Sequence, residues 1–159
     1  MHTDFSMFLP LSEKPVRPSR QIVHTYGSEK SCLVIRSTEI GMQTFFRFIQ
    51  SVGERWKIKP AVLENISIAV SEAIHNAVEH GNKSLYEKTV TIHAMQDELH
   101  FTFTVDDEGD GFDYRDIKDP TLPENLTCPA GRGIFLMYQL ADKVQFTNGG
   151  SRVKLTFCR

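Results

Sequence analysis

The spacing of hydrophobic positions divides this chain into helical and extended segments. From Thr38 to about Gly53, apolar residues recur at steps of three and four, which predicts a helix with one buried face. These residues are Met42, Phe45, Phe46, Ile49 and Val52. A second helix is predicted to begin at Pro60, which suits a first-turn position, and to end at Gly81, which suits a C-terminal cap.

Beyond Gly81 the apolar positions alternate with polar ones, which predicts strands with one buried face. One run contains Val90, Ile92 and Ala94; after a turn near Gln96-Asp97, a second contains Leu99, Phe101, Phe103 and Val105. Shorter β-prone runs at 21–26 and 32–36 predict a hairpin, as do those at 144–146 and 153–157. A short helix is predicted over 133–140.

Helices and strands that do not alternate strictly favour an α+β fold. We expect a two-layer sandwich with helices on one face of a mixed, largely antiparallel sheet. Residues 1–20 hold three prolines among scattered charges and are expected to form an extended arm, with one domain over 21–159. Residues 106–132 lack clear secondary structure, and loops of this length are often lids or binding segments.

Composition narrows the functional classes. The chain has 159 residues and a net charge of −2, which disfavours a protein that coats nucleic acid. No apolar run is long enough to span a bilayer, and no secretory signal is expected. Cys32, Cys128 and Cys158 lack metal-ligand spacing, so we expect reduced thiols and a cytoplasmic location. Residues 106–119 hold seven acids and two bases, a local charge of −5.

Polar residues interrupt the second helix along one border of its apolar arc. Glu72, Asn76 and His80 are four residues apart, so they drift by about 40° per step towards the arc. Polar groups at a core boundary need partners there, because burying them unpaired is unfavourable. The row is either a solvated flank or a set of groups that faces a cleft, and the spacing leaves both interpretations open.

An acidic residue ends the second strand on its inward side. Asp107 continues the inward parity, whereas Asp106 and Glu108 fall on the outward parity. At Gly109 and Gly111, a missing Cβ would let another group approach the backbone closely. The pattern suits a pocket that binds a hydrogen-bond donor, although Asp and Gly also form ordinary turns.

A third feature lies at the start of the short helix, where Gly131 and Gly133 flank Arg132. Glycines at a helix N-terminus expose N–H groups that favour anions, and the guanidinium adds a positive charge. Glycine is also common at helix boundaries, so this feature alone is weak.

Two metal motifs are incomplete. A calcium loop that began at Asp106 would need a glutamate at its twelfth position, where this chain has Ile117. His75 and His80 are five residues apart, whereas zinc ligands on one helix face are four apart. We therefore expect neither calcium nor zinc. The P-loop motif does not occur either.

In order along the chain, the segments 72–82, 107–111 and 131–137 resemble the N-box and the two glycine boxes of the GHKL ATPase superfamily. Within it, the Glu-His-Gly-Asn ending of the first segment and the Gly-Arg-Gly of the third resemble the bacterial anti-sigma-factor serine/threonine kinases. The resemblance covers about residues 32–158. It implies the GHKL, or Bergerat-type, ATP-binding fold.

The resemblance implies roles at both ends of a bound nucleotide. Asn76 would hold Mg²⁺, which bridges the ATP phosphates. Asp107 would accept a hydrogen bond from the adenine amino group, Gly109 would permit close approach of the base, and Gly111 would hinge an ATP lid at about 112–132. His80 is placed with these cofactor-binding residues, although it would equally serve to pack the helix end.

The phosphate end would be formed by the third segment. Gly131 and Gly133 would offer backbone N–H groups to the phosphates, and Arg132 would lie near the γ-phosphate as a catalytic residue. Glu72, one helical turn before Asn76, would orient or deprotonate the attacking hydroxyl.

The implied function is an Mg²⁺-ATP-dependent serine/threonine protein kinase that acts as an anti-sigma factor. Its substrate would be an anti-sigma-factor antagonist protein and its other partner a sigma factor. A homodimer is implied, with the region before the first helix as a contact; no direct binding to nucleic acid or membrane is expected. The alternative is a regulatory module that binds nucleotide and a partner without phosphotransfer. A plain α+β domain with three coincidental patterns is the third.

Overall fold

The structure is a computed structural model that describes residues 22–26, 29–37, 39–111 and 131–159. The strands in these ranges are β1 (Ile22–Tyr26), β2 (Lys30–Arg36), β3 (Thr89–Gln96), β4 (His100–Asp107), β5 (Lys143–Thr147) and β6 (Arg152–Cys158). The α-helices are α1 (Glu39–Trp56), α2 (Pro60–Asn76) and α3 (Arg132–Leu140). The expected arm, most of the expected lid and Cys128 lie outside the described residues.

The strands form one sheet in the order β1-β2-β3-β4-β6-β5. Each pairing among these strands is antiparallel, so the expected largely antiparallel sheet has no parallel pair in the described part. Strand β4 lies between β3 and β6, and its last pair with β6 is Asp106 with Arg152. Asp107 is the next residue of β4, one position beyond this pair. The pairing of β4 with β6 places the end of β4 next to the turn that joins β5 and β6.

The hydrophobic core lies between the sheet and the helices. The alternating residues of β3, β4 and β6 supply one side of it, including the fully buried Ile92, Phe103 and Leu155. The helices supply the other side, with Phe45 and Ile66 fully buried. Burial of each such side chain stabilises the fold by about 1.5–3 kcal/mol. The predicted α+β sandwich is confirmed.

The first helix ends at Trp56, so Gly53 lies near its end, as expected. A Cβ on Gly53 would lie 2.6 Å from Cδ2 and 2.9 Å from Cδ1 of Leu63. A Cβ here would press against the Leu63 side chain, because α2 packs closely against α1 at this glycine. Trp56, in the last turn, stacks on Phe101 with ring centroids 6.2 Å apart.

The second helix changes form before it reaches Gly81. The α-helix ends at Asn76, and Ala77–Gly81 form a π-helical turn. The backbone N–H of Asn82 donates to the carbonyl of Ala77 at 2.7 Å, the wider spacing typical of a π turn. The expectation of one regular helix to Gly81 is therefore wrong in its last turn.

The alternation in β4 begins one position later than expected. Leu99 is 68% exposed, so the prediction that it faces inward is wrong. It lies in the turn before β4, where the Asp97 carboxylate accepts hydrogen bonds from the backbone N–H groups of Leu99 and His100, both at 2.8 Å. From Phe101 to Val105 the inward parity is as predicted.

The remaining observations concern thiols and membranes. Cys32 is buried and Cys158 is exposed, and both are free thiols. Burial raises the pKa of the Cys32 thiol. Among the described residues, no helix is long and apolar enough to cross a bilayer.

Candidate functional site

A small cleft opens where α2 and α3 meet the ends of β4 and β6. Its walls are mostly apolar, and Asn76, Asp107 and Ser151 are its polar side chains. The other lining residues are Ala73, Ala77, Val105, Met137, Phe146, Gly150 and Val153. Apolar walls with a few polar groups are typical of a small-molecule site.

Asp107 ends β4 with its carboxylate at the cleft. The Gly109 N–H donates to Oδ1 of Asp107 at 2.8 Å, and the Asp107 N–H donates to the Ser151 carbonyl at 3.0 Å. Burial raises the pKa of the Asp107 carboxyl, while the Gly109 hydrogen bond and the charge of Lys88 act in the opposite direction. Asp107 therefore continues into the cleft, as the alternation predicted.

The glycines around Asp107 allow three pieces of backbone to meet. A Cβ on Gly81 would overlap the Asp107 carboxylate, and a Cβ on Gly109 would overlap the Gly81 carbonyl group. The group that approaches Gly109 closely is therefore the main chain of Gly81. Gly111 has φ of +79°, and a Cβ there would overlap the carbonyl oxygen of Gly149.

Asn76 carries an unsatisfied amide in the cleft wall. Its Nδ2 is buried and has no hydrogen-bond partner among the described residues. The oxygen and nitrogen of a side-chain amide exchange places by a 180° rotation, so either atom can face a ligand. An amide oxygen suits Mg²⁺. The described residues hold no cluster of three or more His, Cys, Asp or Glu that would bind a metal.

Glu72 lies one turn before Asn76 and reaches the N-terminus of α3. Its Oε2 is 2.5 Å from the position that a Cβ on Gly133 would occupy. Glycine at this position therefore makes room for a carboxylate beside the first turn of α3.

The N-terminus of α3 is formed by a left-handed residue. Gly131 has φ of +88°, a conformation that favours glycine, and its carbonyl accepts a hydrogen bond from the Phe135 N–H at 2.9 Å. The helix begins at Arg132, one residue earlier than predicted, and the Arg132 side chain is exposed. The Glu72 carboxylate lies beside Gly133, in the first turn of this helix.

Not every candidate residue lies at the cleft. His80 is exposed and is absent from the cleft lining. Nε2 of His75 lies 3.2 Å from Oε2 of Glu79, and both side chains are exposed. The drift of about 40° per four residues predicted that His80 would lie at the apolar arc, and this prediction is wrong. The π turn has more residues per turn than an α-helix, so each residue is rotated through a smaller angle.

Sequence reasoning missed the role of Asn82. Its side chain is fully buried and hydrogen-bonded, although it appeared only as the last letter of the first segment. Its backbone is in the ordinary right-handed region, with φ of −80°, so no local backbone requirement marked this position in the sequence. Met137 and Phe146, which form part of the apolar wall, were also missed.

The model of the histidine kinase-like ATPase domain family matches residues 35–157, and the chain therefore belongs to this family. The family expected from the three sequence segments is confirmed.

The relatives are protein kinases by name. Serine-protein kinase RsbW of Oceanobacillus iheyensis is 31% identical over 106 residues, which cover 63% of this chain and 67% of that protein. The protein of the same name from Bacillus subtilis (strain 168) is 35% identical over 101 residues, 59% of this chain and 63% of its own length. That from Staphylococcus aureus (strain Newman) is 31% identical over 104 residues, covering 59% and 64%. The chain thus spans about two thirds of the length of these relatives, or slightly less.

Proposed function

We propose that this chain is an Mg²⁺-ATP-dependent protein serine/threonine kinase that acts as an anti-sigma factor. The observation that carries the proposal is the buried, unpartnered amide of Asn76 in the wall of the same cleft as the Asp107 carboxylate. A buried polar atom without a partner is unfavourable unless a ligand satisfies it. The serine-protein kinases among the relatives give further support.

The apolar part of the cleft would bury the adenine ring, and Asp107 would accept a hydrogen bond from its amino group. At the other end, the N–H groups of Gly131 and Gly133 would bind the phosphates at the start of α3. Arg132 would add a positive charge near the γ-phosphate. The lid expected at about 112–132 would cover the nucleotide, with Gly111 as its hinge.

Asn76 would hold Mg²⁺ through its side-chain oxygen. When bound, the ion neutralises phosphate charge and orients the β- and γ-phosphates. His80 remains in the proposal only as a residue at the edge of the nucleotide site, because its side chain is exposed.

Glu72 would act in the transfer step. The substrate hydroxyl oxygen forms a bond to the γ-phosphorus, the bond from that phosphorus to the bridging oxygen breaks, and ADP leaves. The Glu72 carboxylate takes the hydroxyl proton. Its place beside Gly133, at the N-terminus of α3, supports this role because the phosphates would bind there.

The partners are part of the proposal. The substrate would be a serine or threonine of an anti-sigma-factor antagonist, and the second partner a sigma factor. A homodimer and a cytoplasmic location fit a kinase of this branch. We propose no direct binding to nucleic acid or membrane.

The transfer assay tests the proposal with a matched pair of variants. The protein is incubated with Mg²⁺-ATP and candidate antagonists, and phosphate transfer is measured by mass. Glu72→Gln should bind ATP normally and lose transfer, because the amide accepts no proton from the hydroxyl. Glu64→Gln, an exposed carboxylate of the same helix, should transfer at the wild-type rate.

Three results would change the proposal. If Glu72→Gln transfers phosphate at the wild-type rate, Glu72 is not the base. If ATP binds but no antagonist is phosphorylated, the chain is a nucleotide-binding regulatory module. If ATP does not bind, the cleft serves another ligand.

A further inference from the structure

Asn82 is a fully buried amide whose hydrogen-bonding groups are used by the chain itself. Its Nδ2 donates to the Thr89 carbonyl at 2.8 Å and to the Ser37 Oγ at 3.2 Å. Its Oδ1 accepts from the Glu108 N–H at 2.9 Å. A carbonyl only accepts and a backbone N–H only donates, so these partners fix the orientation of the amide.

The three partners of Asn82 come from separate strands. Ser37 follows β2, Thr89 begins β3, and Glu108 follows β4. Both backbone groups of Thr89 are hydrogen-bonded here: its carbonyl accepts from Asn82, and its N–H donates to Oε2 of Glu108 at 2.6 Å. Asn82 therefore fixes the position of the π turn relative to the ends of β2, β3 and β4.

The position of the π turn determines where the Asp107 carboxylate lies. Asn82 follows Gly81, and its partner Glu108 lies between Asp107 and Gly109. The Gly81 backbone contacts both neighbours of Glu108, namely the Asp107 carboxylate and the Gly109 main chain. A shift of the turn would move the wall against which the carboxylate packs.

The next residues indicate that the turn must be held in place. Lys83 and Ser84 both have positive φ, 54° and 55°, which is unfavourable for residues with a Cβ. The Ser84 N–H donates to the Val78 carbonyl at 2.8 Å. Such backbone strain persists when the surrounding contacts over-determine the conformation. The buried amide next to these residues supplies such contacts.

We propose that Asn82 is a positioning residue for base recognition: through Glu108 and Gly81 it sets the Asp107 carboxylate at the place where it meets the adenine amino group. This inference deepens the proposed function and rests on its assignment of an adenine nucleotide to the cleft. Asn82 itself does not touch the ligand.

The experiment compares ATP with inosine triphosphate, which has the same ribose and phosphates but a carbonyl oxygen in place of the amino group. Dissociation constants of both are measured for the wild type, Asn82→Ala and Asn65→Ala, an exposed asparagine of α2 as the control. Asn82→Ala should weaken ATP binding by about tenfold or more and leave inosine triphosphate within about twofold, because one hydrogen bond to a charged group is lost. Asn65→Ala should leave both unchanged.

A purely structural role of Asn82 predicts another pattern. Both nucleotides would then weaken together, and the preference for ATP would be kept; this result would overturn the inference. In an Asp107→Asn background the replacement of Asn82 should remove no further ATP preference. If it does so, Asn82 acts by another route and the inference fails.

Two further results separate this inference from the proposed function. If the wild type does not prefer ATP over inosine triphosphate, the adenine assignment itself is wrong. If Asn82→Ala does not fold, Ser37→Ala decides. It removes the 3.2 Å hydrogen bond with Asn82 and a 3.4 Å hydrogen bond to the Lys88 carbonyl, and it leaves the Thr89 and Glu108 partners of Asn82 in place. It should lower the ATP preference about two- to threefold, and an unchanged preference would overturn the positioning role.

Discussion

At the scale of single residues, Asp107 is held in an environment that opposes its charge. Burial raises the pKa of its carboxyl above the ordinary 3.8, so the folded state favours the protonated form more than the unfolded state does. The Gly109 N–H is its hydrogen-bond donor, at 2.8 Å. A carboxylate in such a place is more often kept for ligand recognition than for stability.

The first prediction concerns Asp107→Asn. The variant should weaken ATP binding by about 100-fold or more, because an amide nitrogen replaces an acceptor that pairs with the adenine amino group. It should also raise Tm at neutral pH, because no buried charge remains. Calorimetric titration and thermal unfolding measure the two effects. Asp106→Asn, on the opposite face of β4, should leave ATP affinity unchanged.

The pH dependence follows from the direction of the same pKa shift. For a carboxyl with a raised folded pKa, destabilisation is absent below the unfolded pKa, grows between the two pKa values and is complete above the folded one. The gain in Tm of Asp107→Asn over the wild type should therefore vanish below pH 3.8 and grow as the pH rises above it. A gain that shrinks as the pH rises would contradict the shift.

A second residue-scale prediction concerns Gly133→Ala. The new Cβ would lie 2.5 Å from Oε2 of Glu72, so the carboxylate must move away from the N-terminus of α3. We expect the transfer rate to fall by about tenfold or more, because small displacements of a catalytic group are costly, while ATP affinity stays within about threefold. Alanine favours the helix by about 0.5–1 kcal/mol, so Tm should not fall.

The rescue variant tests whether displacement is the cause. Glu72→Asp shortens the side chain by one methylene, and the double variant with Gly133→Ala should transfer faster than Gly133→Ala alone. If the single variant keeps the wild-type rate, the contact with Gly133 does not determine where Glu72 acts.

At the scale of elements, the contact of α1 with α2 depends on Gly53. Helix propensity alone predicts that Gly53→Ala stabilises α1 by about 1 kcal/mol. The contact predicts the reverse, because the Cβ would lie 2.6 Å from Cδ2 of Leu63, and overpacking costs about 1–3 kcal/mol. We expect Gly53→Ala to lower the Tm measured by thermal unfolding.

A second background separates the two effects. In a Leu63→Ala background the clash is gone, so the same Gly53→Ala replacement should raise Tm through helix propensity. Equal effects in both backgrounds would show that Leu63 is not the cause.

The elements divide into those set by local pattern and those set by distant contacts. Amphipathic spacing predicted the helices and most strands, because burial of one face selects the period. It did not show the close approach of Leu63 to Gly53, or the π turn at Ala77–Gly81, where the helix widens to meet β4. Propensity contains no information on either contact.

The candidate site divides in the same way. The inward direction of Asp107 followed from strand alternation, which is a local property. The importance of Asn82 did not, because its partners are 7, 26 and 45 residues away in the sequence. The exposure of His80 was also unpredictable, since it depends on the form of a single turn.

At the scale of the whole molecule, the cleft exists only because the antiparallel sheet brings distant segments together. Asn76 comes from α2, Asp107 from the end of β4 and Met137 from α3, while Val153 comes from the last strand. The placement of β6 beside β4 brings the turn at 148–150 against Gly111.

Charge is also distributed unevenly on this scale. The net charge is −2, but residues 106–119 carry −5, so the rest of the chain sums to +3. Asp110 belongs to this acidic segment, and its carbonyl oxygen is 4.0 Å from the position of a Cβ on Gly149. A nucleotide bound in the cleft as proposed would therefore lie near the negative charge of Asp110, beside the turn at 148–150.

The last prediction follows from this charge distribution. Asp110→Asn should raise ATP affinity about twofold at low ionic strength, because unit charges about 10 Å apart in water interact by only about 0.4 kcal/mol. The gain should disappear near 1 M salt, where the Debye length is about 3 Å. Glu98→Gln is the matched control, since it removes the same charge before the start of β4, about 30 Å away along the strand. A gain that persists at high salt, or an equal gain in Glu98→Gln, would mean that local charge at the cleft mouth does not oppose nucleotide binding.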